Sequence, residues 1–308
     1  MRPSRWLFLW HVPLILIAAT MLLPLVFMLR TALGGADLNL GTGESLTAML
    51  WPRSWNWKNF LEVWEVVPFG RYYVNSLFVA VVVTAAKVFT SALAAFAFAR
   101  LNFRGRDALF LAYLATMMVP GAVTMIPNFI TIRMLPEWLG YIFPWVDWLA
   151  LRHLGDSAND PMVGRLLGLD SYFALIAPGM FTAYGTFMLR QFFLTLPLEL
   201  DEAATIDGCS AWQTFSRIIL PLSVPGLATL TIFTFMATWG SFMWPLVVTN
   251  QDALRTLPLG LQAFQGQYGT EWHLMMAAAL MMLIPQIVIF LFGQRFFLTG
   301  LTIGAVKG

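Results

Sequence analysis

The chain has 308 residues, 59% of them hydrophobic and 11% charged, with a formal net charge of +2. A soluble domain carries roughly 25% charged residues, so this composition cannot clothe a water-facing surface and points to an all-α integral membrane protein. The small charge gives no footing for nucleic acid, a single cysteine (Cys209) excludes an internal disulfide, and three scattered histidines offer no structural metal site.

A helix crossing about 30 Å of hydrocarbon needs roughly 20 apolar residues. The first such stretch covers 6–29, behind Arg2 and Arg5. It exceeds the roughly 7–15 apolar residues of a signal peptide, so an uncleaved first span is expected. Residues 30–71 read as a loop rich in Trp51, Trp55, Trp57 and Trp64. Such indoles settle at the headgroup level or pack on helix ends. Further spans are predicted over 73–99 and 108–132, separated by Arg100, Arg104 and Arg106. Residues 133–170, with Pro136, Pro144 and Pro161, read as an outer loop carrying short interfacial helices. Spans over 172–189, 225–248 and 273–292 complete a set of six, with a polar, amphipathic loop at 190–222 and a short loop at 249–272. The chain thus divides into 1–72, a first helix and outer loop, and 73–308, a five-helix core holding the 190–222 loop. Three arginines in the short 100–106 loop place it, and with it both termini, on the cytoplasmic side.

Some residues in the spans invite a reading of their own. Lys87 interrupts the second span, and a charge at that depth faces the bundle interior or a wet cavity and pairs there. A pathway role, a structural pairing and snorkelling toward an interface all remain open for it. Trp239, Phe242 and Trp244 are candidates for lining a substrate pathway, since flat rings stack on the apolar faces of sugars. Helix packing and an interfacial belt would use the same residues.

The most informative stretch is 197–221. Pro197 suits a helix start, and Glu199, Asp201 and Glu202 place negative charge at that helix's positive end. Gly208 stands where a left-handed stop belongs, and Ser210 with Gln213 has capping-box spacing for a second helix that Pro221 ends or kinks. The expected unit is a short helix, a glycine turn and another short helix. Glu202-Ala203-Ala204 offers an acid and two small side chains on an exposed turn, where a partner surface can come close.

Here the sequence resembles a known family. Glu202-Ala203-Ala204, three residues, Gly208, nine residues, Ile218, one residue, then Leu220-Pro221 is similar to the "EAA" loop of ATP-binding-cassette importer permeases at every motif position. Pro68-Phe69-Gly70-Arg71-Tyr72 with Asn75-Ser76 looks like the start of that family's core helices, and Ala97-Phe98-Ala99-Arg100-Leu101 like the exit of its second span. Leu257-Pro258-Leu259-Gly260-Leu261, Gln265-Gly266-Gln267-Tyr268 and the end from Gln294-Arg295-Phe296 to Gly308 resemble the carbohydrate branch, the maltose and glycerol-3-phosphate type. The 133–170 loop is longer than the family's usual outer loop. The resemblance implies a multi-pass subunit of a bacterial or archaeal cytoplasmic membrane, working by alternating access. It also implies a second homologous permease, two ATPase subunits binding ATP-Mg, and an extracytoplasmic solute-binding protein. Its coupling residues would be Glu202, Ala203, Ala204, Gly208, Ile218, Leu220 and Pro221, docked on the ATPase, with no catalytic residue, metal or cofactor in this chain. No G-x-x-x-x-G-K-[ST] phosphate loop occurs in the sequence. The alternative is an ion-coupled secondary transporter, which would place acids inside spans and repeat its pattern in two halves. Here the acids fall in loops. An intramembrane enzyme would need a nucleophile–base pair or metal ligands in the spans, and none is evident.

Overall fold

The computed structural model describes residues 5–34, 55–143, 167–266 and 269–305; Trp51, His153, Lys307 and the 144–166 part of the expected outer loop lie outside them. The helices run in order α1 (Arg5–Leu33), α2 (Asn59–Val66), α3 (Phe69–Arg100), α4 (Arg106–Met118, its last turn 3-10) and α5 (Gly121–Ile142). They continue as α6 (Tyr172–Gly179, likewise ending 3-10), α7 (Ala183–Thr195), α8 (Glu199–Ile206) and α9 (Ala211–Leu222), and close with α10 (Val224–Trp239), α11 (Met243–Val248) and α12 (Trp272–Ala305). Short helical turns link α11 to α12. One antiparallel pairing, Gln265–Gly266 with Gly269–Thr270, is the only strand structure among the described residues.

Among the described residues three helical segments are long and apolar enough to cross a membrane: His11–Leu33, Phe69–Arg100 and Trp272–Phe296. Three further pairs qualify only together, each bent at a break: α4 with α5 by 99°, α6 with α7 by 43°, and α9 with α10 by 77°. The expected third and fourth spans are therefore interrupted. At the first break Val119 precedes a proline and is extended, Pro120 has no N–H to continue the ladder, and Gly121 restarts it. The α6–α7 break follows Pro178-Gly179. The expected fifth span also stops, at Gly240, before α11 resumes. Two boundaries differ from the sequence reading as well. Residues 133–142 continue α5 rather than open a loop, because a helix does not end where its first charge leaves the hydrocarbon. The 30–71 loop contains α2.

Two compact units are present, Met1–Gly70 with Gly260–Pro285, and Arg71–Leu259 with Gln286–Gly308. In the first, α1 shows apolar side chains to its surroundings, Leu14 at 62% and Met21 at 75% exposure, as a lipid-facing helix must. Its C-terminal carbonyls are satisfied from α2: Asn59 Nδ2 donates to Ala32 O (2.7 Å) and Gly34 O (2.8 Å). Trp55, Trp57 and Trp64 are exposed, as headgroup-seeking indoles would be.

Among the described residues, the second unit has two cores. One joins the C-terminal half of α3 to α7, α9 and α10 through Ala92, Ala95, Phe96, Leu189, Phe193, Phe215, Ile219 and Leu230. Small residues bring these backbones close. A side chain at Gly185 would collide with Ser91 Oγ (2.6 Å) and press on Leu230 Cδ1 (3.2 Å). The other core joins the N-terminal half of α3 to α5, α6 and α11 through Val79, Val83, Ile132, Leu175 and Val248.

Candidate functional site

The 196–222 loop is built almost entirely by local rules. Helix α8 carries Glu199, Asp201 and Glu202 in its first turn, where carboxylates meet the positive end of the helix dipole. It closes with a full Schellman motif: Gly208 N donates to Thr205 O (3.1 Å) and Cys209 N to Ala204 O (2.9 Å). Gly208 supplies the left-handed residue this requires, at φ 76°. Two residues on, Ser210 Oγ accepts from Gln213 N (3.3 Å) and Gln213 Oε1 accepts from Ser210 N (2.8 Å), a complete capping box that starts α9.

This geometry sorts the motif residues into two groups. Glu202 and Ala203 are exposed, and Leu198 (62%), Glu202 and Ile206 (86%) fall four residues apart, so they share one outward face of α8. Trp212, at the start of α9, adds a further exposed ring. Ala204 instead is buried on the opposite side. Ile218, Leu220 and Pro221 do not join the outward face of α8. Leu220 packs on the α3–α7–α9–α10 core, and Ile218 is half-buried. Around them α9 widens into one π turn, Phe215–Ile219, where Leu220 N donates to Phe215 O and Pro221 has no N–H to give. Ser223 Oγ then donates to Ile219 O (2.7 Å) at the bend into α10.

What fixes this loop to the helices is Arg100, which the sequence reading used as a topological charge and as part of the motif at the exit of the second span. Its guanidinium, 3% exposed, pairs with Asp201 on α8 (3.0 Å) and donates to Phe193 O and Leu196 O at the end of α7 (2.8 Å each). One side chain thus satisfies orphan carbonyls of one helix and anchors the first turn of the next. Arg190 acts alongside it, lying 4.2 Å over the Phe110 ring and donating to Phe98 O (3.2 Å).

The start of α3 explains another set of motif residues. Arg71 Nε donates to Ala253 O (2.7 Å), Asn75 Nδ2 donates to Ala253 O and Arg255 O (2.9 Å each), and Ser76 Oγ accepts from Leu257 N (2.6 Å). Tyr172 Oη donates to Asn75 Oδ1 (2.6 Å), and the buried Asp170 carboxylate accepts from Asn250 N and Gln251 N. These groups staple the 250–257 segment to the helices. Replacing the buried Asn75 by leucine leaves Arg255 O and the Tyr172 hydroxyl without this partner, while Ala253 O keeps its bond from Arg71, and we expect a loss of about 2 kcal/mol. A thermal-unfolding midpoint in detergent equal to that of the native chain would show the staple to be idle.

A cavity of about 520 Å³ opens among α3, α5, α6, α10 and α11, and its wall includes residues flanking three helix breaks: Gly121, Gly179 and Ser241. Trp244 lines it while donating Nε1–H to Ala174 O (2.8 Å). The other two pathway candidates do not. Trp239 is 1% exposed, stacked on Phe235 (5.7 Å) and edge-on to Tyr73 (5.4 Å), so it is a packing residue. Phe242 is half-buried beside the break, outside the cavity wall.

Long apolar helices and helix pairs broken beside a cavity are the architecture of a multi-pass membrane protein. The chain belongs to the family of binding-protein-dependent transport system inner membrane components, whose pattern matches residues 88–302. It is a permease subunit of an ATP-driven importer, a transport subunit rather than an enzyme. It is 30% identical to the arabinooligosaccharides transport system permease protein AraQ of Halalkalibacterium halodurans over 86% of this chain and 84% of that protein. It is 33% identical to the sn-glycerol-3-phosphate transport system permease protein UgpE of Yersinia pestis over 90% of each. Its fold matches, with a TM-score of 0.73 and 20% identity, a bacterial ABC transporter involved in the import of the acidic polysaccharide alginate, over 96% of this chain and 99% of the other.

Proposed function

We propose that this chain forms half of the translocation pathway for a sugar, oligosaccharide or sugar-like solute. Six spans leave both termini in the cytoplasm, and α8 is the coupling helix. The observation that carries the coupling role is the outward face of α8: Leu198 and Ile206 flank Glu202 and Ala203, and among the described residues all four are exposed. An apolar face rimmed by carboxylates on a cytoplasmic turn is a docking surface for another subunit. A second permease, two ATPase subunits carrying ATP-Mg and an extracytoplasmic solute-binding protein complete the machine. ATP closes the ATPase pair, the attached α8 moves with it, and Arg100 transmits that movement to α3 and α7. Work is obtained because ATP and the loaded binding protein favour different states of one equilibrium. The carbohydrate class rests on the named relatives and the C-terminal resemblance. One relative is named for oligosaccharides of arabinose and another for sn-glycerol 3-phosphate, so they leave the charge of the solute open.

The purified chain alone is expected neither to hydrolyse ATP nor to move solute, and uptake should need all four kinds of subunit. ATP-independent uptake by this polypeptide alone in vesicles would favour an ion-coupled transporter instead. For topology, Cys209 is first replaced by serine, because it lies half-exposed in the same loop. A cysteine at Thr205 should then react with an impermeant maleimide only from the inside, and one at Trp55 only from the outside.

A further inference from the structure

Lys87 lies 18 residues from the start of α3 and 13 from its end, about 27 Å and 20 Å along the axis. Neither end of the helix is within reach of the Lys87 side chain. It shares a face of α3 with Val83, four residues earlier, and both line the 520 Å³ cavity. Among the described residues no ion pair includes Lys87, and no acidic residue stands in the cavity wall. The wall offers instead the Asn128 amide, the Thr238 and Ser241 hydroxyls and the Trp244 ring.

Two further features make this a built site. Irregular backbone at membrane depth is tolerated only inside protein or around water, and residues beside three separate helix breaks meet here. One of them, Gly121, begins the 22-residue α5 with no side-chain cap, and a Cβ there would meet nothing within 4 Å. The positive end of that helix therefore adds to the field of the lysine.

We infer that the carried solute is an anionic carbohydrate, bearing a carboxylate or a phosphate, and that Lys87 receives its negative group in this cavity. This rests on the carbohydrate-importer reading and narrows it. A neutral sugar would leave the ammonium uncompensated in a low-dielectric wall, whereas an anion pairs with it and the hydroxyls, amide and indole hold the ring. Whether the charge is a uronate or a phosphate ester is decided by the solute that the binding protein presents.

The test uses the complete transporter in liposomes, with digalacturonate, sn-glycerol 3-phosphate, maltose and arabinobiose as probes. ATP-driven uptake of at least one of the two anions is expected. Lys87→Met should lower it at least ten-fold, and Lys87→Arg should keep it within about three-fold, with the ATPase subunits co-purifying in both cases. Uptake confined to the neutral probes, or anion uptake unchanged in Lys87→Met, overturns the inference. So does loss of the partner permease from the Lys87→Met complex, which would assign the lysine to a pairing between subunits. Loss of anion uptake by the native complex in liposomes without anionic lipid, matching that of Lys87→Met, would assign it to a lipid headgroup. Failure of all four probes to move with ATP, in a complex that hydrolyses ATP, sinks the carbohydrate reading itself and this inference with it.

Discussion

Replacing Arg100 by methionine should release the 196–208 segment from the membrane helices while leaving those helices in place. The substitution keeps most of the apolar stem but removes the pair with Asp201 and both bonds to the end of α7. Breaking a buried pair by deleting one partner costs roughly 3–5 kcal/mol. The lower end, about 3 kcal/mol, applies here because Asp201 keeps a quarter of its side chain exposed and can turn to water. Asp201→Asn is the matched control. Its amide oxygen can still accept from the guanidinium, and the α7 carbonyls keep their donor, so its loss should be about 1 kcal/mol. Exchanging the two residues should not restore stability, since an aspartate at 100 would face the carbonyls of Phe193 and Leu196. The measurements are unfolding midpoint in detergent, protease cleavage within 196–208 and co-purification of the ATPase. If Arg100→Met left cleavage and ATPase attachment unchanged, the arginine would be only a topological charge and the transmission path through it would be wrong.

The contrast between this arginine and its loop shows which features a sequence displays. Every bond that shapes the α8–α9 turn joins residues five apart or fewer, so Gly208, Ser210 and Gln213 could be read directly from the chain. Arg100 and Asp201 stand about a hundred positions apart, and nothing local to either names the other. The same holds for Asn75, whose partners lie at 172 and 253–255. The helix breaks fall between these cases. Pro13, Pro24, Pro127, Pro136 and Pro285 all lie inside continuous helices, so proline alone does not mark an interruption in a membrane protein. Breaks occur at Pro120-Gly121, at Pro178-Gly179, and at Gly240-Ser241 ahead of Pro245, where lost hydrogen bonding coincides with a residue free of backbone restraint, whereas the α9–α10 bend falls at Ser223 between Pro221 and Pro225. Aromatic residues gave the weakest signal. Trp239 and Trp244 are five apart, yet one ring is enclosed and the other meets the cavity, because the chain breaks between them.

Substitutions on α8 and its turn should separate ATP chemistry from transport. Valine at Gly208 would hold a β-branched residue at φ 76°, a conformation disfavoured by roughly 1–2 kcal/mol, although no neighbour lies within 4 Å of the added Cβ. The strain is therefore purely of the backbone. It should be relieved by unmaking the Schellman bonds from Gly208 N and Cys209 N, which redirects α8 without disturbing the α3–α7–α9–α10 core. Asparagine tolerates this region better than valine, so Gly208→Asn should be intermediate, and that order is the signature of a conformational cause. Ala203→Trp and Ile206→Asp act on the exposed face instead: the first obstructs a close approach, the second puts a charge where an apolar contact is proposed. Both should leave the unfolding midpoint of this chain nearly unchanged, because neither side chain is enclosed. All three should reduce ATPase co-purification and uptake at least ten-fold. Ala204→Trp provides the opposite pattern, since Ala204 is 2% exposed: it should destabilise the chain by about 1–3 kcal/mol through overpacking before any docking is tested. Normal ATPase attachment and normal uptake in Gly208→Val, Ala203→Trp and Ile206→Asp together would remove α8 from the coupling role.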